Sequence, residues 1–280
     1  MVSWSLPAQE IAMRIVRSSI ICAVLLTTPL WAEEKPSPLQ SGEAWESLQY
    51  DVFGTGDIVE TPGALSLDTP FRAHDPALVP VRVTQPADGP RIEELTLVID
   101  ENPAPVAATF TLGPAMHPLD LEVRVRVNAY SNVRAVARTE GGQWQMAGRF
   151  VRATGGCAAP AGKDAEAALA HLGQMRFQPV SADTSGGDLR REAKLMIRHP
   201  NYSGLQRDQV SLMMIPARFI DRLEVKQGEE LLFSMTGGIS ISEDPVFTFR
   251  YRDNGAGEVT VRAVDTEGVE FGATFPLPAG

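Results

Sequence analysis

From residue 79 onward, apolar and polar side chains alternate in short runs broken by turn residues. In Leu121-Glu122-Val123-Arg124-Val125-Arg126-Val127 the apolar residues fall on odd positions, with Glu122, Arg124 and Arg126 between them. A period of two sends successive side chains to opposite faces of a strand, so this run predicts a sheet packed on one face and wet on the other, with Arg126 on the wet face. Val79–Val83, Ile92–Ile99, Thr109–Leu112, Val133–Ala137 and Gln145–Arg152 continue the series, separated by Asp88-Gly89-Pro90, Glu101-Asn102-Pro103 and Glu140-Gly141-Gly142. A second series comprises Ala193–Arg198, Phe219–Lys226, Glu230–Met235, Val246–Arg252, Glu258–Asp265 and Val269–Phe275, with turns at Gln227-Gly228, Asp253-Asn254-Gly255 and Thr266-Glu267-Gly268.

These elements predict an all-β chain with two immunoglobulin-like antiparallel β-sandwich domains, at residues 43–157 and 189–277. Residues 158–188 read as a linker with a short helix: Asp164 caps an Ala-rich run to about Leu172, Gly173 ends it, and Ser181 to Asp188 is polar and Gly-rich. No period of about 20–50 residues repeats, which excludes a solenoid.

Composition narrows the function classes. Of the 280 residues 44% are hydrophobic and 21% charged, enough for a real core, and the net charge of −10 with no Lys/Arg cluster argues against nucleic acid as a partner. At the N-terminus, Arg14 and Arg17 precede an apolar run from Ile20 to Thr28, and Ala32 offers a cleavage site before Glu33-Glu34-Lys35. Residues 1–32 therefore read as a general secretory signal peptide, cleaved near Ala32, with a periplasmic destination. The apolar run is shorter than the roughly 20 residues of a spanning helix, so no membrane anchor is expected.

Cleavage there would remove Cys22 and leave Cys157 unpaired in the mature chain. Cys157 follows the strand pattern at Ala153-Thr154-Gly155-Gly156-Cys157-Ala158-Ala159-Pro160. Gly155, Gly156 and the alanines make a thin segment without a large apolar side chain, which predicts an exposed, mobile carrier loop able to enter a narrow pocket on another protein. The alternative is that the two glycines merely end a strand. Arg149 and Arg152 precede Cys157 and would favour its thiolate or attract an anionic cargo if they face it.

The run Val125 to Ala137, the turn Asp100-Glu101-Asn102-Pro103 and the strand leading to Gly155-Gly156-Cys157 resemble SoxY, a sulfur-oxidation protein family. Ile197-Arg198-His199-Pro200, Ile215 to Ile220 and Ser242 to Arg250 are similar to SoxZ. The resemblance implies a fused, non-enzymatic SoxYZ-like carrier in which Cys157 holds sulfur intermediates covalently and the two domains pair intramolecularly. It implies exported oxidoreductases as partners: sulfur-oxidation enzymes, or a quinoprotein dehydrogenase or cytochrome c, since fused carriers of this kind accompany quinoprotein dehydrogenases. Cys157 departs from the SoxY pattern by being internal, so its loop is tethered at both ends.

His199 and Arg198 are candidates for partner contact, with a structural role as the alternative for His199. Met213-Met214, beside Leu212 and Ile215, reads as core or interdomain filler or as a soft interaction surface. With one mature cysteine and scattered histidines no metal site is expected, and the absence of nucleophile-elbow, P-loop and dinucleotide motifs predicts no cofactor and no autonomous catalysis. A rival reading is a non-covalent periplasmic interaction module that docks a dehydrogenase or cytochrome, with Cys157 incidental.

Overall fold

A computed structural model describes residues 1–2, 38–40, 42–54, 58, 60–160, 169–184 and 188–277. The signal segment, apart from Met1 and Val2, and the start of the linker helix at Asp164 lie outside the described residues.

The first half contains helix α1 (Glu43–Phe53) and strands β1 (Ser66–Asp68), β2 (Val79–Thr84), β3 (Ile92–Ile99), β4 (Val106–Leu112), β5 (Asp120–Val125), β6 (Ser131–Thr139) and β7 (Trp144–Val151). The second contains β8 (Met175–Asp183), β9 (Arg190–Ile197), β10 (Ile220–Gln227), β11 (Glu230–Gly237), β12 (Val246–Arg252), β13 (Glu258–Asp265) and β14 (Glu270–Pro276). They form two antiparallel sheets, a 6-stranded one ordered β1-β2-β5-β12-β9-β8 and an 8-stranded one ordered β14-β13-β10-β11-β4-β3-β6-β7.

The all-β, immunoglobulin-like architecture agrees with the alternation in the sequence. Counting outward from the middle of each sheet, the halves have the same strand order: adding seven to a first-half strand number gives its second-half counterpart. The halves therefore share a topology that no repeat in the sequence announces. They also join edge to edge in both layers. β12 pairs with β5 through Phe247↔Val123 and Phe249↔Leu121, and β11 pairs with β4 from Phe233↔Leu112 to Gly237↔Ala108.

Joining removes the four strand edges that separate sandwiches would expose there, and it fuses their interiors. Alternate residues of β5 and β12 are buried, and one apolar cluster takes in Val81, Leu97, Leu121 and Val123 from the first half with Leu195, Leu223, Phe247 and Val261 from the second. Phe110 lies 6.1 Å from Phe233 and 6.4 Å from Phe247, so aromatic contacts cross the junction in both layers.

Two elements depart from the sequence expectation. Residues 43–53 form α1 instead of opening a β pattern, and this explains why β6 is buried on both faces. Val133, Ala135 and Ala137 of β6 join the main core. On its other face Val136 packs in a small cluster with Ile58, Met146, Trp45, Phe53 and Trp144. There Arg134 meets Asp100 through two near-parallel hydrogen bonds of 2.9 and 2.8 Å, and Trp45 covers the guanidinium at 4.2 Å.

The second departure is β8, which lies inside the stretch read as linker. It is an edge strand that buries only Met175 and Phe177 in part, and its register shifts between Pro179 and Ser181. An edge strand containing proline looks like a loop in sequence because one of its sides needs no partner. Leu169 and Ala170 are helical and Gly173 (φ +77°) follows, consistent with a short helix ending there.

Because one core spans both halves, unfolding is expected as a single transition, with tryptophan fluorescence (all four tryptophans lie within residues 1–144) and far-UV circular dichroism coincident. Phe110→Ala should lower the stability sensed by both probes by about 3–5 kcal/mol; two separated transitions would contradict the shared core.

Candidate functional site

β7 carries the chain to the junction, where a short loop is stitched to its surroundings residue by residue. The Arg152 N–H donates to Phe71 O at 2.7 Å, Gly155 N–H to Asn128 O at 2.8 Å and Gly156 N–H to Val127 O at 3.1 Å. A 3-10 turn over Gly156–Ala158 follows, closed by Ala158 N–H to Gly155 O at 3.1 Å.

The two glycines are needed for different reasons. Gly155 sits at φ +79°, in the left-handed region, with open space where a side chain would go. At Gly156 the limit is space: a Cβ would lie 2.1 Å from Pro76 O and 2.6 Å from Val127 O.

The outcome is a fully buried Cys157, 0% exposed. This corrects the expectation of an exposed, swinging loop. Small side chains that cannot anchor a loop by bulk can also slide it into a narrow slot, and backbone hydrogen bonds then hold it; composition alone does not separate the two. Ala161 and Gly162, which follow Pro160, lie outside the described residues.

The second half closes the slot. Ser203 Oγ donates to Cys157 O at 2.5 Å, and Gln206 Nε2 donates to Ala159 O at 2.9 Å. Gln206 Oε1 also accepts from Ser203 N–H at 3.2 Å, so the two latch residues brace each other. Their loop is pinned by buried Asn201, whose backbone N–H donates to His199 Nδ1 (3.0 Å), whose Nδ2 donates to Ser242 O (3.1 Å) and whose Oδ1 accepts from Ile220 N–H (3.1 Å).

From the first half comes a residue that the alternation placed in water. Arg126 follows β5, where Val125 bridges to Ile241, and is only 1% exposed. Its backbone N–H donates to Ser240 O at 2.7 Å, and its carbonyl accepts from Asn102 Nδ2 at 2.7 Å. The guanidinium reaches Gly156 O at 3.4 Å and Asn201 O at 3.3 Å, both long bonds, and its Nε–H has no partner. Strand periodicity cannot reveal this, because Arg126 faces outward only while its sheet ends there; the second half covers it.

Burial pushes the Cys157 thiol above its ordinary range, and the charge of Arg126 pulls the other way. Burial also lowers the pKa of Arg126, opposed by Glu243, Cys157 and Asp75, although a guanidinium stays charged at neutral pH.

Other sequence candidates lie elsewhere. Arg149 donates to Leu67 O at 2.6 Å and Arg152 stacks over Phe71 at 4.7 Å, so each has its own partner away from the turn. His199, expected at a partner surface, is buried beside Phe271 with Nε2 3.5 Å from Asp265 Oδ2, because its strand end is covered by the sandwich it helps to close. Arg198 is exposed and pairs with Asp244 at 2.5 Å. Met213 and Met214 are 71% and 50% exposed, which removes the reading as core filler.

Burial lowers the pKa of His199, against the hydrogen bonds of Asp265 and Asn201 and the charge of Asp265. A histidine held neutral in the fold but free to protonate at about pH 6.5 when unfolded makes the unfolded state bind the extra proton. Stability is therefore complete above about pH 6.5 and declines as the pH falls below it. His199→Gln should flatten the fall in Tm between pH 7.5 and 5.5; an unchanged slope would show that His199 does not titrate on unfolding.

The family model described as sulfur oxidation protein SoxY matches residues 49–157, and that described as sulphur oxidation protein SoxZ matches residues 179–276. A search of curated proteins gives no match. Among solved structures, the sulfur carrier protein SoxY from Chlorobium limicola f thiosulfatophilum is 25% identical, covering 41% of this chain and 99% of its own, with a TM-score of 0.35. A β-glycosidase from Bacteroides vulgatus is 10% identical, covering 76% of this chain and 25% of its own, with a TM-score of 0.23.

Proposed function

We propose that this chain, which belongs to the SoxY and SoxZ families and joins the two in one polypeptide, is a periplasmic carrier that holds a sulfur intermediate covalently on Cys157 and presents it to partner oxidoreductases. The observation that carries the reading is that the SoxY match runs to residue 157 and stops there, so the cysteine stands at the end of the family domain. The structure adds a turn built around that cysteine by contributions from both halves.

In this reading the chain stores and shields the sulfur, and partners perform the chemistry. Loading forms a bond between Cys157 Sγ and the sulfur of a donor; the thiol proton goes to solvent and two electrons pass to the partner oxidoreductase. The raised thiol pKa keeps the empty carrier protonated and unreactive, as burial does in general. The SoxZ half acts as a latch through Ser203 and Gln206, and exchange with a partner requires those bonds to open. Fusion holds the latch beside the turn at an effective concentration in the millimolar range, so dilution cannot separate them. Partners are sulfur-oxidation enzymes, with a quinoprotein dehydrogenase or cytochrome c as the electron acceptor.

The burial of Cys157 favours one second reading: an interaction module in which the cysteine only fills its slot. Intact mass on protein isolated from the periplasm without reductant separates them. The carrier predicts sulfur adducts confined to Cys157 and absent from Cys157→Ser. An unmodified mass throughout, from cells oxidising sulfur compounds, would instead support the interaction module.

A further inference from the structure

Ion pairs account for the other strongly buried arginines: Arg134 meets Asp100 and Arg191 meets Asp253. Arg126 differs. No ion pair reaches it among the described residues, its two hydrogen bonds are long and go to neutral carbonyls, and its Nε–H is unsatisfied. Glu243 and Asp75 act on it only through space. Removing a cation from water without a paired anion is costly, and an unsatisfied buried group calls for an explanation, an ion that binds there being one. The group against which this cation rests is the cysteine turn, through Gly156 O.

We propose that Arg126 is a specificity-determining residue that makes Cys157 a holder of negatively charged sulfur groups, a sulfonate-capped disulfide or a persulfide anion, in preference to neutral or cationic ones. The inference rests on Cys157 being the carrier group. An anion attached to Sγ places beside the guanidinium a counter-charge that no ion pair now supplies, whereas a neutral group leaves it unpaired and a cationic group adds repulsion in a medium of low dielectric. Asn102 and Ser240 are its positioning residues, since they fix the Arg126 backbone from either side and are themselves joined at 2.8 Å.

Alkyl methanethiosulfonates that differ only in charge test this on the full chain. The Cys157 thiolate attacks the sulfenyl sulfur, its proton having gone to solvent; the reagent's S–S bond breaks, a new S–S bond forms at Sγ, and methanesulfinate leaves with no external oxidant. Sulfonatoethyl and trimethylammonioethyl reagents are compared, each rate divided by its rate with a small free thiol. At reagent concentrations where labelling is first order in reagent, opening of the latch is a pre-equilibrium that enters both rates equally and cancels in the ratio.

The anionic reagent is expected to react about tenfold faster or more. Arg126→Lys should keep the preference, Arg126→Gln should bring the ratio close to one, and Cys157→Ser should show no labelling. A purely structural Arg126 would change both rates together and leave the ratio untouched. A wild-type ratio near one overturns the proposal even if Arg126→Gln fails to fold, as does an unchanged ratio in a folded Arg126→Gln protein. Because the reagents are synthetic, the answer does not depend on finding a native adduct, so failure of the carrier reading and failure of the Arg126 assignment remain distinguishable.

Discussion

The pairing of β5 with β12 and of β4 with β11 is the constraint on which the rest of the molecule depends. Two sandwiches of the same topology meet along both layers, so neither half owns a complete core and neither owns the site. The cysteine turn lies where they meet: its floor is Pro76 and Val127, its cation comes from the end of β5, and its latch comes from the loop after β9. Register in the sheets is thereby converted into geometry at a thiol that lies in a turn and not in a strand.

The electrostatics of the slot pull in two directions. Desolvation keeps the thiol neutral, and a nearby guanidinium favours its anion. The first effect dominates in the retracted state, which suits an empty carrier that must not react with passing oxidants. An open turn regains water, so the desolvation penalty falls while the charge of Arg126 remains in the wall. In the latched turn the balance leaves the thiol raised.

Much of the fold was legible because strands packed on one face print their period in the sequence. β3, β12 and β13 fall where alternation and turn residues place them. The failures share a physical origin in context that a single segment does not carry. α1 was hidden in a region expected to be β, and its presence buries the second face of β6. β8 is an edge strand whose polar side and Pro179 resemble a loop. Cys157, Gly155 and Gly156 were identifiable as the chemically distinctive segment, yet their burial was not, since the latch residues lie more than 40 positions away. Arg126 was misplaced for the same reason: its position in the alternation is that of a surface residue, and only the second half makes it an interior one.

A thiol held in its slot by a local latch, as proposed, leaves it without unfolding the sandwich. Native-state labelling of Cys157 with a small neutral alkylating reagent, followed by mass spectrometry across a series of low urea concentrations, addresses it most directly. A latch predicts an opening free energy well below that of global unfolding and a labelling rate almost independent of urea, because little surface is exposed. A rate that rises with the full urea slope of global unfolding, about 1–3 kcal/mol per molar for small proteins and larger for a chain of this size, would show that Cys157 is reached only by unfolding and would contradict the account.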